Sequence, residues 1–280
     1  MMACHRTART AMKPLLPPIH QFHRHPQAPW LELRVSLPSP HCFRLHAHDE
    51  YSIGIVDAGQ ALFNHADGPE RVHPGSVVLI EPGRWHACNP DEVTHWSYRM
   101  LFVQADWVHA QLQQPALRFP ARALHDAGSS ALVHQLCQPL TATTDVAAHT
   151  QLLLDFLRTH TQADAHPQPA SSEDRAVHHA VEQLHAQPQA DTTVAALAQA
   201  EGMSASRFIR HFKAATGVTP GAYRLNLRLN GARRLLAEGA ALADAAHAMG
   251  FADQAHLQRA FKAHHALTPG RYAQGARPRA

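Results

Sequence analysis

The sequence predicts an α+β, multidomain chain: short antiparallel strands closed by helices in front, and an all-α back carrying two helix-turn-helix units. Three observations predict it. First, a block near the carboxyl end is written twice. Phe212-Lys213 is answered by Phe261-Lys262, Thr219-Pro220-Gly221 by Thr268-Pro269-Gly270, and Tyr223 by Tyr272, each pair 49 residues apart, the mark of a duplicated supersecondary unit. Second, from Trp30 to about Asp106, short runs rich in Val, Ile, Leu, Tyr and Phe are broken by Gly and Pro, as in a β sandwich or barrel. Third, charge is divided. Residues 191–280 hold 12 Lys and Arg against 5 Asp and Glu, and the remainder 13 against 17, so the back suits a polyanion and the front does not.

In chain order, residues 1–29 read as a flexible, Pro-containing lead-in without the apolar stretch of a signal peptide. A β-rich domain follows over 30–110, with strand runs such as Tyr51 to Val56, Ser76 to Ile80 and Ser97 to Val103. Over 111–162 the period turns helical. Leu132, Leu136 and Leu140 form one stripe and Leu153, Phe156 and Leu157 another, faces that most often close a core. Residues 163–172 are polar and read as a linker, and 173–280 form the helical back, opened by a helix over Glu173 to Gln187. The four cysteines (Cys4, Cys42, Cys88, Cys137) are scattered, so they read as free thiols of a reducing cytoplasm. No apolar run approaches the roughly 18 residues of a membrane span.

Within the first repeat, Ser204 caps a helix, Phe208 and Phe212 form its inward pair, and Gly217 stops it. In the second, a helix over Leu242 to Met249 stops at Gly250, Asp253 caps the next, and Leu257 with Phe261 face inward. One long helix, Tyr223 to Glu238, joins the units along the apolar stripe Leu225, Leu229, Ala232 and Leu236. A rigid connector of this length sets two recognition helices at roughly one DNA turn, about 34 Å. Double-stranded DNA is therefore the expected partner. The candidate contacts are Ser206, Arg207, Arg210 and Lys213 in the first unit, and Gln254, His256, Gln258, Arg259 and Lys262 in the second. Arg210 is the best base reader, since a guanidinium can bond guanine O6 and N7 together, and glutamine suits adenine. Lys213 and Lys262, at the helix ends, suit phosphates.

The paired turns, the paired Phe-Lys and Thr-Pro-Gly-x-Tyr, and Tyr223-x4-Arg228-x3-Ala232-x2-Leu235-Leu236 resemble the AraC/XylS family of bacterial transcription regulators. The resemblance implies sequence-specific DNA binding controlled by a small-molecule effector, dimerisation through the sensing domain, and RNA polymerase as a partner of an activator. His46-x-His48-Asp49-Glu50 and Pro74-Gly75 through Pro82-Gly83 to His86 look like the half-motifs of a cupin jelly roll, and the family commonly carries a cupin-like barrel in front. In metal-binding cupins such side chains ligate Fe, Mn, Zn or Ni. Here Glu50 follows His48 by two residues rather than four, and the chain holds 25 histidines. His46, His48, Glu50 and His86 are therefore read as pocket groups for an organic ligand, with Tyr51 and Trp85 as weaker ones, and no metal or other cofactor is expected. Two other readings are a cupin metalloenzyme fused to a DNA-binding tail, and an architectural DNA binder without a sensor. No nucleophile elbow, P-loop or Rossmann fingerprint supports an ordinary hydrolase, kinase or dehydrogenase.

Overall fold

Alternation along the strands divides the front of the chain into two cores. In the computed structural model, which describes residues 20–38, 45–91, 95–164 and 171–276, one sheet has the order β1 (His20–His25), β2 (Ala28–Ser36), β8 (Ser97–Gln104), β3 (Glu50–Ala58), β6 (Val77–Ile80) and β10 (Ala123–Leu124). A second has β5 (Gly68–Val72), β4 (Ala61–His65) and β7 (His86–Pro90). Antiparallel pairing of β3 with β8 sets Ser52 opposite Phe102, Gly54 opposite Met100 and Val56 opposite Tyr98. Because side chains alternate, this face looks into the barrel, where Val56, Val78, Ile80, Tyr98, Met100 and Phe102 meet Phe63 and Val72 of the second sheet. Gly54 lets the Met100 side chain lie against the strand: a Cβ would stand 2.6 Å from its end and push it aside.

The intervening residues Leu33, Tyr51, Ile53, Val77, Leu79, Leu101 and Val103 pack the other way, onto α1 (Ala105–Leu112), α2 (Ala127–Leu136) and α3 (Val146–His160). Tyr51 is thus on the helical side, its hydroxyl donating to Leu117 O at 3.0 Å, and is no pocket residue. Leu136, Leu153, Phe156 and Leu157 are consumed by this same core. The outer face of α3 shows Gln151, Asp155 and Arg158, so these stripes close a core within one chain. Two short strands, β9 (Leu117–Arg118) and β11 (Gln162–Ala163), pair beside these helices.

The lead-in needs correction. Residues 20–25 are strand β1, paired with β2 from His20 opposite Ser36 onward, and His20 Nδ1 lies 2.8 Å from Ser36 Oγ. Residues 1–19, Cys4, Cys42 and positions 165–170 of the linker lie outside the described residues. Cys88 and Cys137 are free, and burial pushes both thiols up to about 12.

The back is all helix: α4 (Ser172–Ala186), α5 (Val194–Ala200), α6 (Ala205–Thr216), α7 (Pro220–Ala237), α8 (Leu242–Ala248), α9 (Gln254–His265) and α10 (Pro269–Ala276). Side-chain caps start α4, α5, α6, α7 and α9, satisfying amides that have no intrahelical partner, while α8 follows Ala241 without one. Ser204 accepts from Arg207 N and Asp253 from His256 N at 2.6 Å. Thr219 accepts from Ala222 N, so the connecting helix begins at Pro220, three residues earlier than the sequence predicts. Gly250 takes φ 68° and sits so close to Gln189 that a Cβ would stand 2.4 Å from its carbonyl oxygen. Arg228 closes this junction, donating to the carbonyls of Pro188 (2.7 Å), Gly250 (2.8 Å) and Gln189 (2.9 Å). It locks the second unit's turn onto the loop before α5.

Candidate functional site

Three surfaces carry functional groups, the first being the outer faces of α6 and α9. Phe208, Phe212, Leu257 and Phe261 are fully buried. Helical periodicity then turns the intervening polar residues outward. Ser206, Arg207, Arg210, Lys213, Gln254, Gln258, Arg259 and Lys262 all lie outside that core, on the solvent side of their helices. Two of the nine sequence candidates are already engaged. Arg207 forms an ion pair with Glu173 of α4, and His256 is half-buried with its ring edge-on to Phe251 at 5.3 Å.

The second is a cavity inside the barrel. Three histidines from two segments distant in sequence converge there: His46, His48 and His86, whose candidate donor atoms all lie within 4.8 Å of one another. Each is at most 6 % exposed. Reciprocal backbone bonds between His46 and His86 (3.0 and 2.9 Å) and a bond from Gly83 N to His48 O (2.8 Å) fix their positions. Arg84 O accepts from His86 Nδ1 at 2.9 Å, which leaves the lone pair of that ring on Nε2. His48 Nδ1 is buried with no hydrogen-bond partner among the described residues. Burial lowers His86 to about 4 and His48 well below its usual value, the latter helped by His46 and His86, so both are neutral bases at pH 7. Ile55, Val78, Ile80, Trp96 and Met100 line the same space, with Arg34 as the charged group. Its volume is about 30 Å3, room for roughly two waters.

Glu50 belongs elsewhere, which corrects the expected pocket set. The strand starts only at Glu50, after a bend at Asp49, so the alternation from His46 and His48 is not carried through. Its carboxylate is taken instead by Arg233 of α7. Trp85 is likewise no pocket residue. It packs with Ala47 into the core of the first helix-turn-helix unit, its ring 5.5 Å from that of Tyr223.

These displaced residues define the third surface, a seam between barrel and helical back. On α7, Asn226, Asn230 and Arg233 are buried and stand at i, i+4 and i+7, one face of a helix. Asn226 accepts from Ala47 N (3.1 Å) and donates to Ala47 O (2.9 Å). Asn230 donates to Ala47 O (3.0 Å) and Asp49 (2.9 Å). Arg233 pairs with Glu50 and reaches Glu32 at 3.6 Å. On α10, Tyr272 donates to Glu32 at 3.0 Å and accepts from Arg24 at 2.8 Å. Sequence reasoning missed Asn226, Asn230 and Arg233, although a polar stripe beside the apolar one on a single helix signals a buried polar contact.

The fit of a metal ion to the three histidines rests on chemistry and distance. With the three donors no more than 4.8 Å apart, an ion between them need stand no more than about 2.8 Å from any, and inward shifts of up to about 0.7 Å reach a zinc–imidazole bond. Three imidazoles suit Zn, Cu, Fe or Ni, and the absence of a carboxylate from the set disfavours Mg and Ca. The residues fit.

Two family models match the chain: an AraC-like ligand-binding domain over residues 33–157 and a helix-turn-helix domain over 197–275. An AraC-like transcription regulator of Streptomyces lividans is 31% identical over 244 residues, 84% of this chain and 76% of that protein. The helix-turn-helix transcriptional regulator YbfI of Bacillus subtilis is 28% identical over 227 residues, 77% of this chain and 81% of that protein. Among solved structures, an apo form of ToxT from Vibrio cholerae superposes with a TM-score of 0.55 at 13% identity, covering 89% of this chain and 98% of its own, a likeness of fold. Another ToxT structure, with an unsaturated fatty acid bound, gives the same TM-score.

Proposed function

Because this chain belongs to the AraC-like family of helix-turn-helix transcription regulators, we propose that α6 and α9 are its two base-reading helices and that the barrel is the sensor controlling them. The observation that carries this is the shared register. Residues 49 apart bury Phe212 and Phe261 and expose Lys213 and Lys262. Arg210 is the primary base reader of the first unit, and Gln258 with Arg259 serve the second. Lys213 and Lys262 take phosphates, and Ser206 and Gln254 stand at the helix starts. Arg207 and His256 are the weakest readers, since Glu173 and Phe251 already hold them.

Control passes through the seam, because only an effector that binds two arrangements of the chain unequally can shift DNA binding. The reading places the protein in the cytoplasm and carries a homodimer, with RNA polymerase as partner at an activated promoter. No helix among the described residues is long and apolar enough to cross a membrane.

The test is selection of bound sequences from random duplexes, with the wild-type chain and with Arg210→Ala. The substitution is expected to cost about 1–3 kcal/mol and to relax preference at one base. Equal weakening on every sequence would reduce Arg210 to a phosphate contact, and failure to select any sequence would end the reading.

A further inference from the structure

Alternation ties the barrel cavity to the DNA-reading back. His46 and His48 turn into the cavity while Ala47, between them, turns into the core of the first helix-turn-helix unit. His86 turns inward while its neighbour Trp85 enters that same core. Ala47 is further held by Asn226 at both its amide and its carbonyl, and by Asn230 at the carbonyl. An ion that draws the three imidazoles together therefore pulls on the backbone segments whose intervening residues, Ala47 and Trp85, α7 and the first unit hold.

We propose that His46, His48 and His86 form a binding site for a divalent first-row transition metal ion and that this ion is an effector, transmitted to α7 and α6 through Ala47 and Trp85. The proposal rests on reading the barrel as the sensing domain. The cavity has room for roughly two waters between the three imidazoles and the apolar lining, a space that suits a single ion. Two of the histidines are prepared as ligands, His86 by its bond to Arg84 O and His48 by a buried, unpartnered nitrogen. The opposing charge among the lining residues is Arg34, whose guanidinium donates to Tyr98 at 2.8 Å and lies over Phe102 at 5.2 Å. Its charge favours an anion, such as hydroxide or chloride, in the position that three protein ligands leave open.

The experiment uses the full chain, stripped of metal. Co(II) is titrated while its visible d–d absorption is followed, Zn(II) is then used to displace it, and affinity for a selected duplex is measured with and without Zn(II). One equivalent should bind with a tetrahedral spectrum, and DNA affinity should change by about 5- to 150-fold, the usual size of coupling between sites. His48→Gln should lower metal affinity by more than the roughly 10–100-fold of a lost second-shell partner. Asn226→Ala should leave the Co(II) spectrum intact and shrink the effect of Zn(II) on DNA, which separates coupling from binding. Weak, multi-equivalent binding untouched by His48→Gln would assign the metal to surface histidines and overturn the site. A tight site with no effect on DNA affinity would overturn the effector role. In either case DNA binding by the metal-free chain would leave the regulator reading standing, whereas loss of DNA binding in every form would sink that reading instead.

Discussion

Tyr223 and Tyr272 occupy the same place in the two halves of the repeat, and each touches the barrel, but by different chemistry. Tyr223 lays its ring against Trp85, and its hydroxyl lies 2.9 Å from His185 Nε2 within the helical back. Tyr272 sets its ring edge-on to Phe22 at 5.0 Å and spends its hydroxyl on the barrel itself, between Glu32 and Arg24. The first unit is thus joined to the sensor by apolar packing at the cavity wall. The second is joined by a buried charge network at the outer strands. Duplication copied the helical core. The surroundings each copy met then decided what its tyrosine does, so the two helix-turn-helix units touch different parts of one barrel.

Arg233 gives the largest expected break in this comparison. It sits between the two joints, buried against Glu50 and Glu32, and Arg233→Met should cost about 3–5 kcal/mol by leaving both carboxylates buried with less compensation. Urea denaturation of the full chain measures it, and a loss below about 1 kcal/mol would show that solvent already screens the network. Next come the tyrosines themselves. Tyr272→Phe removes a hydrogen bond to a carboxylate and should cost about 1.5–3 kcal/mol, whereas Tyr223→Phe should cost about 0.5–1.5 kcal/mol. Equal losses in the same denaturation assay would erase the contrast.

The smallest effect concerns the helix ends. Gly217 closes α6 at φ 81°, while its counterpart Ala266 closes α9 at φ 59°. The left-handed region disfavours a Cβ. Gly217→Ala should therefore destabilise by about 1 kcal/mol, and Ala266→Gly should stabilise by up to about 1 kcal/mol. Calorimetric melting of the two variants decides it, and a fall in melting temperature for Ala266→Gly would contradict the argument.

The buried and exposed faces of α6 and α9 were legible because their cause is local. Phe208 and Phe212 are one turn apart, Ser204 and Asp253 cap within three residues, and a fixed 49-residue offset checks each assignment against its copy. The histidine cluster was half legible. His46 and His48 are neighbours, but His86 joins them only through a pairing of backbones 40 positions apart. Glu50 was misread because the bend at Asp49 broke the alternation on which its assignment rested. Trp85 was misread because an aromatic beside a cavity residue carries no mark of which body it enters.

By itself the sequence determined the doubled helical reader, its caps and its polar faces, since side chains three or four apart on a helix must share a side whatever surrounds them. Only the tertiary structure decided that three imidazoles meet in a small cavity, that Glu50 leaves them for Arg233, and that Ala47 lies under Asn226. Those contacts join groups as many as 183 positions apart. Their partners are chosen by burial, where a charge or an amide must find its complement or lose the stability that water had given it.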